Sequence, residues 1–218
     1  MHLAIFDLDN TLIEGDSDHA WGQYLAEIGA VDRTEHAQLN QIFYEEYQRG
    51  TLDMQAFLKF SLAPLARYPL EQLFAWRAQF VADIIAPMIR APALKLVEHH
   101  RQKGDELMII TATNAFITEP IAALFNIEHL LATQPAVVGG RYTGEYVGIP
   151  TFQKGKQIAL DQWLTSRQLK PSTTWFYSDS CNDIPLLATV DRPVAVDPDT
   201  VLRNHAEAKG WPIISLRS

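Results

Sequence analysis

The run HLAIF at residues 2–6 reads as a short buried strand, yet the next strand-like run, LMIIT, comes only at residues 107–111. Most of what separates them has a different rhythm. Trp21, Leu25 and Ile28 recur at helical spacing, as do Leu39, Ile42, Phe43 and Tyr47. Phe57, Leu58, Ser61, Leu62 and Leu65 continue the period, followed by Leu73, Phe74, Phe80, Val81 and Ile84. Breaks near Gly29, Gly50 and Pro69 divide this stretch into four predicted helices with an apolar interior.

After Pro87 helices and strands alternate. Helices are predicted at 92–104, at 115–125 with Pro120 near its start, at 155–169, at 182–190 and at 200–210. Strands are predicted at 107–111, 173–179, 193–197 and 212–216, and the paired glycines of VVGGRYTGEYVG mark a β-hairpin over 137–148. Alternation of this kind implies a mostly parallel sheet covered on both faces. The expected architecture is an α/β core formed by residues 1–15 and 88–218, interrupted by an all-helical segment at 16–87.

The first strand ends in a crowd of like charges: Asp7, Asp9, Asp16 and Asp18 lie within twelve positions. In a parallel sheet, reactive groups belong at the C-terminal strand ends, and Asp7, Thr111 and Asp179 each stand at such an end. Asp7, Asp9 and Asp179 offer hard oxygen ligands suited to Mg²⁺, which would offset their repulsion and attract a phosphate. A carboxylate there can attack phosphorus, and a second carboxyl two residues on can protonate the leaving oxygen and then activate water. Lys156 and the Thr111 hydroxyl would hold the transferring oxygens. Thr113 competes with Thr111 for this role, and Lys154 with Lys156.

These residues resemble a known pattern. DLDNT (7–11), MIIT (108–111), GK (155–156) and SDSCND (178–183) are similar, in order, to the four motifs of the haloacid dehalogenase superfamily. The helical insertion after the first motif resembles members with a type C1 cap, in the phosphoserine phosphatase-like branch with its histidinol-phosphate phosphatase relatives. The resemblance spans essentially the whole chain and implies a Rossmann-like core. It implies that Asp7 is the nucleophile and that Asp9 is the general acid/base, lending its backbone carbonyl to Mg²⁺. Asp179 is then a metal ligand, Asp183 supports the metal or its waters, and Asn182 is a candidate substrate contact. Ser178 stands where the family commonly has Gly.

Asp16 lies nine residues after Asp7, where phosphoserine phosphatases carry a Glu for the substrate ammonium; a helix cap is the rival role, and the expected one for Asp18. The arginine that clamps the phosphoserine carboxylate has no counterpart near Ser61, where Lys59 is the one cation in residues 51–66 and Arg67 lies just beyond. This implies a phosphorylated amine without a carboxylate, with L-histidinol phosphate as the best fit and phosphoserine as the alternative. A phosphotransferase or phosphomutase would share the first half-reaction, a dehalogenase has no need of Asp9, and a silent phosphometabolite-binding domain is the non-enzymatic rival. His99 and His100 are expected at the surface, His19 either there or near substrate, most cap aromatics in the helical core, and Cys181 as an inert thiol.

Composition narrows the setting. With 47% hydrophobic residues and 20% charged, the chain has enough apolar content for a sizeable core. A net charge of −8 disfavours sequence-independent nucleic-acid binding. A single cysteine, no signal-like stretch and no membrane-length apolar run lead to the expectation of a cytoplasmic enzyme acting on a small phosphorylated metabolite, of undetermined oligomeric state.

Overall fold

A computed structural model describes residues 1–217; Ser218, the last residue of the expected core, lies outside them. The opening strand β1 (His2–Phe6) sends Leu3 and Ile5 into one apolar cluster and Ala4 and Phe6 into another. Both faces are covered, which is why HLAIF is continuously apolar rather than alternating.

The chain then leaves the sheet for α1 (Ser17–Glu27), α2 (Arg33–Gln48), α3 (Met54–Arg67) and α4 (Leu70–Phe80). Asp16, Asp32 and Asp53 cap the first three, each carboxylate accepting backbone N–H groups of the first turn. A π-helical turn (Val81–Ile85) and a 3₁₀ turn (Ala86–Met88) lead back to the sheet.

The remainder runs α5 (Ala91–Gln102), β2 (Glu106–Asn114), α6 (Ala115–Leu124), β3 (His129–Val138), β4 (Arg141–Val147), α7 (Lys154–Ser166), β5 (Thr173–Ser178), α8 (Ile184–Leu187), β6 (Arg192–Val196), α9 (Thr200–Lys209) and β7 (Ile213–Ile214). The strands form one seven-stranded sheet in the order β4-β3-β2-β1-β5-β6-β7, parallel except for the β3–β4 hairpin. Phe6, Ile109 and Tyr177 face α5 and α6, while Ile5, Ile110 and Phe176 face α7, α8 and α9. β1 lies at the centre, and the chain winds outward from it in both directions. That reversal opens a crevice beyond its C-terminal end.

Several sequence expectations need correction. β2 does not stop at Thr111 but bends through an irregularity between Ile110 and Asn114. β3 begins at His129, well before the expected hairpin, and the final strand shrinks to Ile213–Ile214. His100 is buried: its Nδ1 lies 2.7 Å from Asp105 and its Nε2 2.8 Å from the Tyr177 hydroxyl. Adjacent helical residues point to different faces, and His100 shares the inner face of α5 with Ala93 and Val97.

Pro120 sits well inside α6 rather than near its start. Lacking an N–H, it leaves the Phe116 carbonyl without its helical donor. Arg77 of α4 fills the gap, donating to that carbonyl at 2.7 Å while its guanidinium lies over the Phe116 ring. Arg77→Met is therefore expected to lower stability by about 1–2 kcal/mol, and by less when Pro120→Ala returns the missing donor. Thermal melts of the four proteins in this cycle measure the coupling; equal losses in both backgrounds contradict it.

Candidate active site

Asp7 follows β1 directly and is held in the crevice by its backbone N–H, which donates to the Tyr177 carbonyl at 2.9 Å. Its Oδ1 accepts from Lys156 Nζ at 2.8 Å, while Oδ2 is buried without a partner. The same ammonium donates to Asp183 Oδ2 at 2.7 Å, and the other Asp183 oxygen is also buried and unpaired. Lys156 is fully buried and Lys154 exposed, so Lys156 is the lysine that enters the site. Gly155 makes this possible. A Cβ there would lie 1.9 Å from the Pro150 carbonyl oxygen, so only glycine lets α7 start this close to the loop.

Asp9 turns the other way. Its Oδ1 accepts the Ser17 backbone N–H at 2.6 Å, and its Oδ2 accepts from Thr113 Oγ1 at 2.8 Å and more distantly from Thr111 at 3.4 Å. Both threonines thus reach the site, because β2 continues past Thr111 and bends. Asp179 accepts from Thr11 Oγ1 at 2.9 Å. Ser178, where the family commonly has Gly, donates to Asp183 at 2.6 Å and helps fix that carboxylate.

Above this floor lies a narrow cleft, about 30 Å³ in volume, between the sheet's C-terminal edge and α1, α2 and α3. Asp9, Asp16, Asp18 and His19 line it together with Phe43, Tyr44, Tyr47, Phe57, Asn40 and Thr113. Asp16 combines the two roles weighed for it: it caps α1 by accepting the His19 N–H at 2.8 Å, and it faces the cleft. Asp18 is not the cap. It sits buried in the first turn of α1 and also faces the cleft. His19 stacks on Tyr44 with ring centroids 4.4 Å apart. Asn182 lies outside the lining; its amide donates to the Tyr47 carbonyl at 3.0 Å and its oxygen accepts from Gln153.

Sequence reasoning did not find Asn40 or assign particular aromatics to the cleft. One signal was available for Asn40: a Cβ on Gly22 would come within 2.7 Å of its side chain, so the glycine marks a close helix crossing.

The profile of the family described as haloacid dehalogenase-like hydrolase matches residues 4–188. The chain belongs to this family. A curated relative from Neisseria meningitidis serogroup C, named histidinol-phosphatase, is 49% identical over 99% of this chain and 99% of its own. A solved structure of a protein of unknown function from Bordetella pertussis Tohama I is 42% identical, with a TM-score of 0.93 over 99% of this chain and 98% of that one. A phosphoserine phosphatase solved as a phospho-aspartyl intermediate analogue shares the fold at a TM-score of 0.71 and 16% identity, over 99% of this chain and 93% of that one.

Burial, reinforced by neighbouring carboxylates and opposed by Lys156, pushes Asp7 up to about 7. Burial and the nearby Asp16 push Asp9 up to about 6, and burial does the same to Asp16. Asp179 is raised further by burial and by Asp7. The buried unpaired oxygens of Asp7 and Asp183 suit a hard divalent cation. Among the described residues no three acidic, His or Cys side chains form a ready-made metal cage.

Carboxylates raised in the folded state favour the protonated fold, so their contribution is full below about pH 3.8 and is lost as pH climbs through 6 and 7. With metal chelated, the melting temperature is expected to be lower near pH ~8 than near pH ~5.5, and Mg²⁺ to raise it mainly at the higher pH. Scanning fluorimetry at both pH values checks this; a melting temperature that rises with pH in chelator contradicts it.

Proposed function

We propose that the chain is a Mg²⁺-dependent phosphomonoesterase that works through a phosphoryl group carried on Asp7, and that its substrate is L-histidinol phosphate. Phosphatases of this family generally require Mg²⁺, and Asp7, the Asp9 carbonyl, Asp179 and Asp183 would hold it here. The ion would supply positive charge to the phosphate oxygens.

In the first step the free Oδ2 of Asp7 forms a bond to phosphorus while the ester P–O bond breaks. Lys156 holds the other Asp7 oxygen, so the attacking atom is oriented and its neighbour is neutralised. Asp9 gives its proton to the departing alcohol oxygen; a pKa raised to about 6 keeps it a better acid-form reservoir than an exposed aspartate. In the second step Asp9 takes a proton from water as that water attacks phosphorus, releasing phosphate and restoring Asp7. Thr111 is assigned to the transferring oxygens, and Thr113 to orienting Asp9. Residues 16–87 act as a cap on the core of 1–15 and 88–218, closing the cleft against bulk water. Asn182 serves at this seam by holding Tyr47, which lines the cleft. With its lone cysteine, the chain is assigned to the cytoplasm.

The observation that carries the substrate reading is the lining of the cleft: three carboxylates and four aromatic rings, with no Arg or Lys. An ammonium and a flat ring find partners there, whereas a substrate carboxylate meets three like charges and no arginine or lysine to offset them. The name of the Neisseria relative supports the same reading. Phosphoserine is the alternative, on the fold shared with its phosphatase.

Steady-state kinetics on both compounds tests the choice. Histidinol phosphate is expected to exceed phosphoserine in kcat/KM by at least about tenfold, and Asp16→Ala to narrow that gap. Phosphoserine as the better substrate of the wild type contradicts the reading.

A further inference from the structure

We infer that Asp18 selects the imidazole of the substrate: its carboxylate receives a ring N–H while Asp16 takes the ammonium. The inference rests on the substrate reading above and adds a residue and a recognition chemistry to it.

Asp18 is only 8% exposed, yet it borders the cleft. Its carboxylate has no hydrogen bond or ion pair among the described residues, and the charges nearest it are Asp16 and Asp9. The capping duty that would explain an acid here belongs to Asp16, which accepts the His19 N–H. An acid in the first turn also favours the helix dipole, but an exposed side chain would serve that purpose without the cost of burial. The cleft lining contains no lysine or arginine, and no hydrogen bond joins Asp18 to His19, the one basic side chain there, so an N–H donor entering the cleft supplies the partner that the fold leaves out.

That partner must donate an N–H and must fit between rings. Phe43, Tyr44 and Phe57 line the same cleft, and Tyr44 already carries one imidazole, that of His19, stacked at 27°. A second flat ring is suited to the remaining aromatic surface, and a carboxylate at its edge accepts its N–H and favours its protonated form, which aromatic faces also attract. An aliphatic amino-alcohol phosphate has an ammonium for Asp16 but nothing for Asp18. The two acids therefore divide the recognition: Asp16 reads the amine that any amino-alcohol phosphate carries, and Asp18 reads the ring.

The test compares two substrates on wild type and Asp18→Asn: histidinol phosphate, and 2-aminoethyl phosphate, which keeps the amine and lacks the ring. Asp18→Asn is expected to lower kcat/KM for histidinol phosphate roughly ten- to a hundredfold, mostly through KM, and for 2-aminoethyl phosphate by less than about threefold. Turnover of 2-aminoethyl phosphate by the variant also reports that the site has folded. Equal losses on the two substrates, or no loss on histidinol phosphate, overturn the assignment of Asp18 and leave the substrate reading intact. A wild type that hydrolyses 2-aminoethyl phosphate as well as it does histidinol phosphate overturns the substrate reading, and the role of Asp18 falls with it.

Discussion

One ammonium, that of Lys156, is shared between two carboxylates with almost no access to water, at 2.8 Å from Asp7 and 2.7 Å from Asp183. Burying three charges is costly, and such a cluster holds only if its geometry is fixed from every side. Each arm has its own anchor. Gly155 lets the lysine approach, β1 and β5 fix Asp7 through its backbone, and Ser178 fixes Asp183. The lysine stays protonated because both carboxylates raise its affinity for the proton beyond what burial removes. The cluster still carries an excess of negative charge, and one oxygen on each carboxylate is left unpaired. Those two oxygens are the ones left free for a cation or an incoming group.

The rest of the fold serves to bring these groups together from distant parts of the chain. Asp7 and Lys156 are 149 positions apart in sequence, and Asp179 is reached from Thr11 across 168. A parallel sheet that winds outward in both directions from a central strand solves this, because β1, β2 and β5 all deliver their C-terminal ends to the same edge. The helical segment then supplies what the sheet cannot: a second wall. It meets the core at Asn182, whose amide reaches the Tyr47 carbonyl, and at β4, where Gly144 brings the strand against Ala66 of α3.

Much of this was legible in the amino-acid sequence, for identifiable reasons. Residues that must end a buried strand with a charge leave an abrupt apolar-to-acidic step, as at Phe6–Asp7 and, one serine after Trp175–Tyr177, at Asp179. The four helices after residue 16 could be read because Gly29, Gly50 and Pro69 interrupt an otherwise regular period. Other features depend on tertiary placement. Thr113 reaches Asp9 only because β2 bends after Ile110, and nothing local announces that bend. His99 and His100 read as surface residues because adjacent histidines cannot share a helical face as a metal pair, but the inner face of α5 is decided by Ala93 and Val97 and takes in His100. Asp16 and Asp18 compete for one cap on local grounds, and only the three-dimensional arrangement gives the cap to the first and leaves the second free.

The account stands on Asp7 being the nucleophile that carries the phosphoryl group between alcohol and water. The stereochemistry at phosphorus tests this most directly, using a substrate made chiral with oxygen isotopes and sulfur, turned over in isotopically labelled water. Two successive in-line displacements, the first by Asp7 and the second by water, predict retention of configuration in the released thiophosphate. Inversion would mean that water attacks the substrate directly, and it would contradict the account.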